Sequence, residues 1–342
     1  MHSMTEPAAT PILQLDGVGR IFARKPDMAA RIAHKLVGSP LPPRVQAVDD
    51  VSFTVRPGEV LGLVGESGCG KSTLARMISG ILSPSSGTIR FQGEDMAGMS
   101  ASQRRQAGLD LQMVFQDPMA SLNPRLRVID IIGEAPVAHG LVKASEQDGY
   151  VCEMMERVGL DPATRFLYAH QFSGGQRARI GIARALAVKP RVLICDESTA
   201  ALDVSIQSQI LNLFMDLREQ MGLTYIFVSH DLGVVQHISD RIAVMYLGRV
   251  VELAGAEDLF ADPQHPYTRA LLAEVPRLEP KKRRFEGIKG EMPSPLNPPS
   301  GCHFHPRCAI AVPACATRRP TLRELSGGRL AACDLIGEGV AV

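Results

Sequence analysis

Gly65-Glu66-Ser67-Gly68-Cys69-Gly70-Lys71-Ser72-Thr73 has the spacing G-x-x-x-x-G-K-[ST] of a phosphate-binding loop. The flanks agree with it. Val60-Leu61-Gly62-Leu63-Val64 reads as a short buried strand, and residues 72–82 read as a helix with Leu74, Met77, Ile78 and Ile81 on one side. A nucleoside triphosphate concentrates negative charge in a small volume. The glycines let the backbone curl so that its N–H groups point at the phosphates. The helix N-terminus adds a favourable dipole. Lys71 supplies a point charge, and the Ser72 hydroxyl is a ligand for Mg²⁺. A glycine-rich turn between strand and helix is the plain alternative, and motif plus flanks argue against it. Cys69 lies beside Lys71 and a helix N-terminus, conditions that lower a thiol pKa, so it is expected to be alkylated readily and protected by ATP.

Working outward, Arg191-Val192-Leu193-Ile194-Cys195-Asp196-Glu197 is an apolar run capped by two carboxylates. It reads as a buried parallel strand delivering acids to a sheet's carboxyl edge, where α/β sheets bind ligands. Asp196 suits the Mg²⁺-holding role, and Glu197 suits orienting or deprotonating a water that attacks the γ-phosphate. Residues 204–221 carry Ile206, Ile210, Leu213, Leu217 and Met221 near helical spacing. Residues 224–228 form the next strand and end at Ser229-His230-Asp231, which puts His230 at the same edge as a polar sensor. Phe172-Ser173-Gly174-Gly175-Gln176 opens another helix, with Ser173 as its N-cap and bare glycine N–H groups as a second anion site. One chain needs only one phosphate cradle, so the second implies closure on a nucleotide held by another subunit, giving two composite sites.

Composition narrows the class. The 342 residues are 45% hydrophobic with a net charge of +1, which gives a sizeable core and no bulk attraction to nucleic acid or an acidic membrane. No apolar run is long enough to span a bilayer, and residues 1–10 lack a signal-peptide core, so a cytosolic protein with reduced thiols is expected. Residues 11–17 read as an edge strand and 18–22 as a second one. Residues 24–44 read as a polar surface insertion, and 45–55, 88–92 and 111–115 as strands. Residues 117–190 are helical and read as an inserted subdomain. Residues 241–246 and 249–253 read as a closing hairpin. Residues 276–291 read as a solvated linker whose Lys281-Lys282-Arg283-Arg284 run is also suited to lipid headgroups. Cys302, Cys308, Cys315 and Cys333 come next at C-x5-C-x6-C-x17-C, which suggests a metal rather than disulfides in a cytosolic protein. The gaps exceed the usual zinc spacing. His303 and His305 are ranked as bystanders.

Taken together these motifs resemble the ATP-binding-cassette ATPases. The resemblance runs through Walker A (65–73), a Q-loop glutamine (Gln116), the signature (Ser173, Gly174, Gly175, Gln176), Walker B (192–196), a D-loop (Ala201-Leu202-Asp203) and a switch histidine (His230), in family order. It narrows at Phe115-Gln116-Asp117-Pro118-Met119-Ala120-Ser121-Leu122-Asn123-Pro124-Arg125 and at Ser229-His230-Asp231-Leu232-Gly233-Val234-Val235. His265-Pro266-Tyr267-Thr268-Arg269-Ala270-Leu271-Leu272 and Pro293-Ser294-Pro295-Leu296-Asn297-Pro298-Pro299-Ser300-Gly301-Cys302 narrow it further. These stretches are similar to the F-type ATP-binding subunit of oligopeptide and dipeptide importers, over nearly the whole chain.

The resemblance implies an α/β P-loop (RecA-like) ABC ATPase core with an antiparallel β subdomain, an inserted α-helical subdomain and a small Cys-rich C-terminal domain. The cassette would span 1–262 and the C-terminal domain 263–342. It implies that Phe22 stacks on adenine, that Gln116 links Mg²⁺ and water to the membrane contact, and that Asp203 bridges two active sites. It implies catalysis by Glu197, His230, Gln116 and Lys71, Mg²⁺ at Ser72, Gln116 and Asp196, and a [4Fe–4S] cluster, with zinc as alternative, on Cys302, Cys308, Cys315 and Cys333. The implied partners are a D-type ATPase, two membrane permeases and an extracytoplasmic solute-binding protein, with no nucleic acid. The implied place is peripheral, at the cytoplasmic face of the inner membrane. Two departures are Ser198, where proline commonly follows the glutamate, and Ala178, where glutamine is usual; neither removes a catalytic group. A soluble cassette ATPase acting on nucleic acid or ribosomes is the alternative. It is disfavoured by the lack of a coiled-coil insertion, a second cassette or a strong basic charge.

Overall fold

In the computed structural model, residues 10–23, 44–200, 202–274, 288 and 290–336 are described. The insertion 24–43, most of the linker with Lys281–Arg284, and Ala201 lie outside the described residues. The strands are β1 (Leu13–Ala23), β2 (Arg44–Val55), β3 (Val60–Val64), β4 (Ser86–Phe91), β5 (Glu94–Asp95), β6 (Leu111–Val114), β7 (Val192–Asp196), β8 (Thr224–Val228), β9 (Arg241–Tyr246), β10 (Arg249–Gly255), β11 (Arg323–Glu324) and β12 (Leu330–Ala331). They make two sheets. An antiparallel sheet runs β2-β1-β4-β5, and an eight-stranded sheet runs β11-β12-β10-β9-β3-β8-β7-β6.

In the larger sheet β9, β3, β8, β7 and β6 are mutually parallel. Their central residues are buried throughout, so they read in sequence as continuous apolar runs, as two-sided burial demands. Alternation sorts them between two cores. Leu193, Cys195, Tyr225, Phe227, Ile242 and Val244 face the core shared with the helices Val128–Ala138, Gln147–Arg157, Gly174–Leu186 and Val204–Met221. Val192, Ile194, Ile226, Val228, Ala243 and Met245 face the other core, shared with the helix Lys71–Ile78 and the antiparallel sheet. Leu74, Met77 and Ile78 are fully or almost fully buried there, each worth roughly 1.5–3 kcal/mol of apolar transfer.

Two expectations change. The stretch expected to hold two strands forms one, β1 (Leu13–Ala23). Gly17 sits at φ +59 inside it as an irregularity with register shifts around it, rather than at a turn. β1 also pairs on both sides, so it is interior and not an edge. The hairpin of β9 and β10 does not close the larger sheet: Leu330 and Ala331 of β12 pair with Leu253 and Glu252, and β11 lies beyond β12. Strands this short, paired to partners so far back in the chain, leave no periodicity to read. The helical insertion is as expected, and Arg184 ties its last helix to the Gln116 loop by donating to the Ser121 carbonyl at 2.6 Å.

Candidate functional site

Register brings the motifs together. Val114 lies level with Cys195, Asp196 with Val228, and Leu63 with Val228. Because these strands are parallel, the segments that leave their carboxyl ends all emerge at one edge of the sheet: the loop 65–70, Gln116, Glu197 and His230. Ser229 N–H donates to the Leu63 carbonyl at 3.2 Å and Glu197 N–H to the Val228 carbonyl at 3.0 Å, which locks the strand ends side by side.

The loop itself is held by close backbone neighbours. Gly65 has φ +150 and Gly70 φ +110. A Cβ at Gly65 would collide with the Met245 carbonyl, and one at Gly70 with the Ala47 carbonyl. Gly248 N–H donates to the Cys69 carbonyl at 2.8 Å. The Lys71 amine turns into the loop and donates to the carbonyls of Gly65 (2.8 Å) and Glu66 (3.1 Å). Ser67, Gly68 and Thr73 complete the loop, with Gly68 against the Met292 side chain. The curled backbone at the N-terminus of the helix Lys71–Ile78, with the Lys71 amine inside it, suits phosphate.

Beside it the Ser72 hydroxyl donates to Asp196 at 2.7 Å. Asp196 is 3% exposed, and burial pushes its carboxyl up, only partly offset by the Ser72 hydrogen bond. A buried carboxylate in that state gains from a cation, so this pair fits a Mg²⁺ ion. Gln116 donates to Glu197 Oε2 at 2.7 Å, and His230 Nδ1 lies 3.7 Å from Glu197 Oε1. Glu197 adopts φ +48, unusual for a residue with a side chain, and its carbonyl accepts from Ala200 N–H. Next to it Ser198 is buried with a hydroxyl that has no hydrogen-bond partner among the described residues.

Other predicted residues stand elsewhere. Ser173 caps the helix Gly174–Leu186 in a reciprocal pair with Gln176, as anticipated. The contacts of this turn run to Leu202 and Ile206: a Cβ at Gly175 would lie 2.6 Å from Ile206 Cγ2. Among the described residues Ser173, Gly174, Gly175 and Gln176 make no hydrogen bond to residues 65–73. Asp203 precedes the helix Val204–Met221 without a side-chain capping bond, and Val204 is 79% exposed. Phe22 lies opposite Val45 near the end of β1, exposed, with the Arg20 guanidinium 4.9 Å from its ring centroid.

The expectation for Cys69 is overturned. The thiol is fully buried, and burial pushes it up, outweighing the lowering by Lys71. The sulfur lies enclosed by the loop, 4.0 Å from the Lys71 amine.

The metal expectation for the cysteines is also corrected. Among the described residues no group of three or more His, Cys, Asp or Glu is gathered to hold a metal ion. Cys302, Cys308, Cys315 and Cys333 therefore do not form a [4Fe–4S] or zinc site. The segment has another source of order. Cys302 N–H donates to the Cys315 carbonyl at 2.9 Å, Ala332 N–H to the Val251 carbonyl at 2.8 Å, and Cys302 and Cys308 pack against the main core. Cys333 joins Ala331 and Ile336 in a small cluster. Burial raises the thiols of Cys302, Cys308 and Cys333, with the neighbouring cysteines adding to the rise. His303 and His305 donate from Nδ1 to the carbonyls of Leu247 (3.1 Å) and Cys302 (2.8 Å).

Motif reading missed the residues that support the loop from the C-terminal side. The Tyr267 hydroxyl accepts from Glu66 N–H at 3.0 Å, and Arg307 forks onto the Glu66 carboxylate. Tyr267 stands in a family-like stretch, but nothing in its spacing indicates its partner.

Residues 48–200 match the ABC transporter family, and residues 251–315 match the oligopeptide/dipeptide transporter C-terminal region. The chain is similar to the oligopeptide transport ATP-binding protein AppF of Bacillus subtilis, 50% identical over 97% of this chain and 99% of that protein. It is similar to a probable peptide ABC transporter ATP-binding protein, y4tS, of Sinorhizobium fredii, 51% identical over 86% of this chain and 83% of that one. Among solved structures it resembles cbiO1 from Clostridium perfringens, part of the ABC transporter complex cbiONQ, with TM-score 0.61 and 28% identity over 74% of this chain and 91% of that one. It shares the fold of a dimeric ATP-binding cassette in a post-hydrolysis state bound to ADP and Pi, with TM-score 0.60 and 24% identity over 71% and 98% of the two chains.

Proposed function

This chain belongs to the ATP-binding subunits of ABC transporters, of the oligopeptide/dipeptide branch, and from that premise we propose that it hydrolyses ATP to drive uptake of peptides or related solutes. The observation that carries the reading is the sheet edge where Lys71, the Ser72–Asp196 pair and the Gln116–Glu197 pair converge. The loop N–H groups and Lys71 bind the phosphates. Lys71 exchanges its two loop carbonyls for them on binding. Mg²⁺, when bound, supplies charge that offsets the phosphates, and Ser72, Asp196 and Gln116 are the residues that would hold it. Glu197 orients a water and takes its proton as the bond from the γ-phosphorus to ADP breaks. His230, close to Glu197, senses the γ-phosphate. Phe22 stacks on adenine.

The exposed Asp203 and Val204, beside the capped turn Ser173–Gln176, suit a second cassette that completes each site. In this reading that cassette is a distinct D-type ATPase, and residues 116–125 pass the closing motion to two membrane permeases served by an extracytoplasmic solute-binding protein. Among the described residues no helix is long and apolar enough to cross a membrane, in keeping with a peripheral subunit at the cytoplasmic face. The test is co-purification with permease subunits, followed by uptake of labelled di- and oligopeptides into vesicles loaded with ATP. Uptake that persists when this chain is withheld would refute the proposal.

A further inference from the structure

Glu66 is the one carboxylate within residues 65–73. It stands at the second position of a loop built to receive several negative charges, where an unpaired carboxylate opposes binding. Lys71 makes no direct contact with that carboxylate: its amine donates to the Gly65 and Glu66 carbonyls. Arg307, 241 residues along the chain, does: its two terminal nitrogens donate to the two carboxylate oxygens at 2.9 and 3.1 Å. The fork is bidentate and largely desolvated, with the Arg307 side chain 5% exposed and that of Glu66 25% exposed.

Arg307 is itself held in place. It donates to the Tyr246 hydroxyl at 3.4 Å, and its guanidinium carbon lies 5.8 Å from the Tyr246 ring centroid. Tyr246, Tyr267 and Phe304 pack ring on ring, with centroids 4.7 to 5.3 Å apart. Tyr267 from the same cluster accepts the Glu66 N–H. Both the charge and the backbone of Glu66 are thus fixed by residues that lie after the cassette motifs.

We propose that Arg307 is a positioning residue for the nucleotide: it neutralises and pins Glu66, so that the loop accepts the triphosphate only when the C-terminal segment is docked. The inference rests on the ATP-binding reading above. Linkage makes the coupling reciprocal, so ATP binding also tightens the docking of the segment. The competing account is that the ion pair merely anchors the segment, with Glu66 serving as its handle.

The two accounts differ in sign. Calorimetric titration of the full chain with Mg·ATP is carried out for the unmodified protein, Arg307→Met, Glu66→Gln and the double variant, at low and high salt. Arg307→Met should weaken Mg·ATP binding about tenfold, less so at high salt. Glu66→Gln should tighten it two- to threefold, and the double variant should recover to within about threefold of the unmodified chain. A pure anchor predicts the reverse: Glu66→Gln weakens binding, and the double variant is no better than Arg307→Met. That pattern, or unchanged binding by Arg307→Met, overturns the proposal. A melting curve guards against an unfolded Arg307→Met, and if that variant does not fold, Glu66→Gln alone decides by its sign. No binding by the unmodified chain would instead overturn the nucleotide reading itself.

Discussion

The phosphate loop and the cysteine-bearing segment that leans on it are both short, glycine- or proline-rich and dense in reactive side chains, yet they are ordered by opposite means. The loop's course is set by positive φ at Gly65 and Gly70 between a strand and a helix, and distant neighbours at Ala47, Met245, Gly248 and Tyr267 hold it there. The C-terminal segment has almost no regular structure of its own. It is shaped by what it touches, through Ala332 on Val251, Leu330 on Leu253 and Arg307 on Glu66. A motif whose geometry comes from its own backbone carries its chemistry wherever it occurs. A spacing of cysteines carries chemistry only if the surrounding chain gathers them, and here the chain uses the same residues for docking.

The sharpest break of that contrast comes at the loop's edge. Glu197→Gln should keep Mg·ATP binding and lose at least about 10²-fold in turnover, the usual contribution of a positioned base. The ATP-bound closed dimer should accumulate, measured by gel filtration; near-normal turnover in the assembled transporter would remove Glu197 from its role.

The docking side predicts a pH effect. His265 is fully buried, and burial lowers its pKa from the ordinary 6.5 to about 3, with a smaller opposing contribution from a hydrogen bond to Ala332. The unfolded chain takes up a proton near 6.5 and the folded one does not until about 3. Stability is therefore complete above that range and is lost as pH falls through it, by about 1.4 kcal/mol per pH unit for this group. Between pH 6.5 and 5 the melting temperature should drop, and His265→Asn should flatten that drop by roughly 2 kcal/mol. An unchanged slope would show that His265 is not held neutral.

Cys69 measures how closed the loop is. Its buried, raised thiol should react with maleimide at least about tenfold more slowly than an exposed cysteine. Rapid labelling of Cys69 by peptide mapping, blocked by ATP, would mean a loop far too open to bury the sulfur.

The smallest effect belongs to the cysteines. Cys308→Ser should cost about 1 kcal/mol of stability and leave ATPase activity within about twofold. Stoichiometric iron or zinc in anaerobically purified protein, lost in that variant, would erase the difference between the two regions.

From the sequence alone came everything whose geometry is local or repeats along the chain. The buried parallel strands were readable because both of their faces are covered, and the end of β8 was placed to the residue. The Ser173 cap was readable from its local helix-start chemistry, and the phosphate loop and the convergence of Asp196, Glu197 and His230 at one edge because parallel strands share one carboxyl side. Tertiary structure alone decided matters set by partners distant in sequence. β1 proved interior because β2 and β4 come to both its sides. Cys69 turned inward because the loop curls over it. Among the described residues Cys302, Cys308, Cys315 and Cys333 are not gathered into a group that could hold a metal ion, and backbone bonds and the sheet edge already order their segment. Arg307 met Glu66 across 241 residues because an aromatic cluster carries it there, and a contact of that range leaves no period, cap or spacing in the chain to announce it.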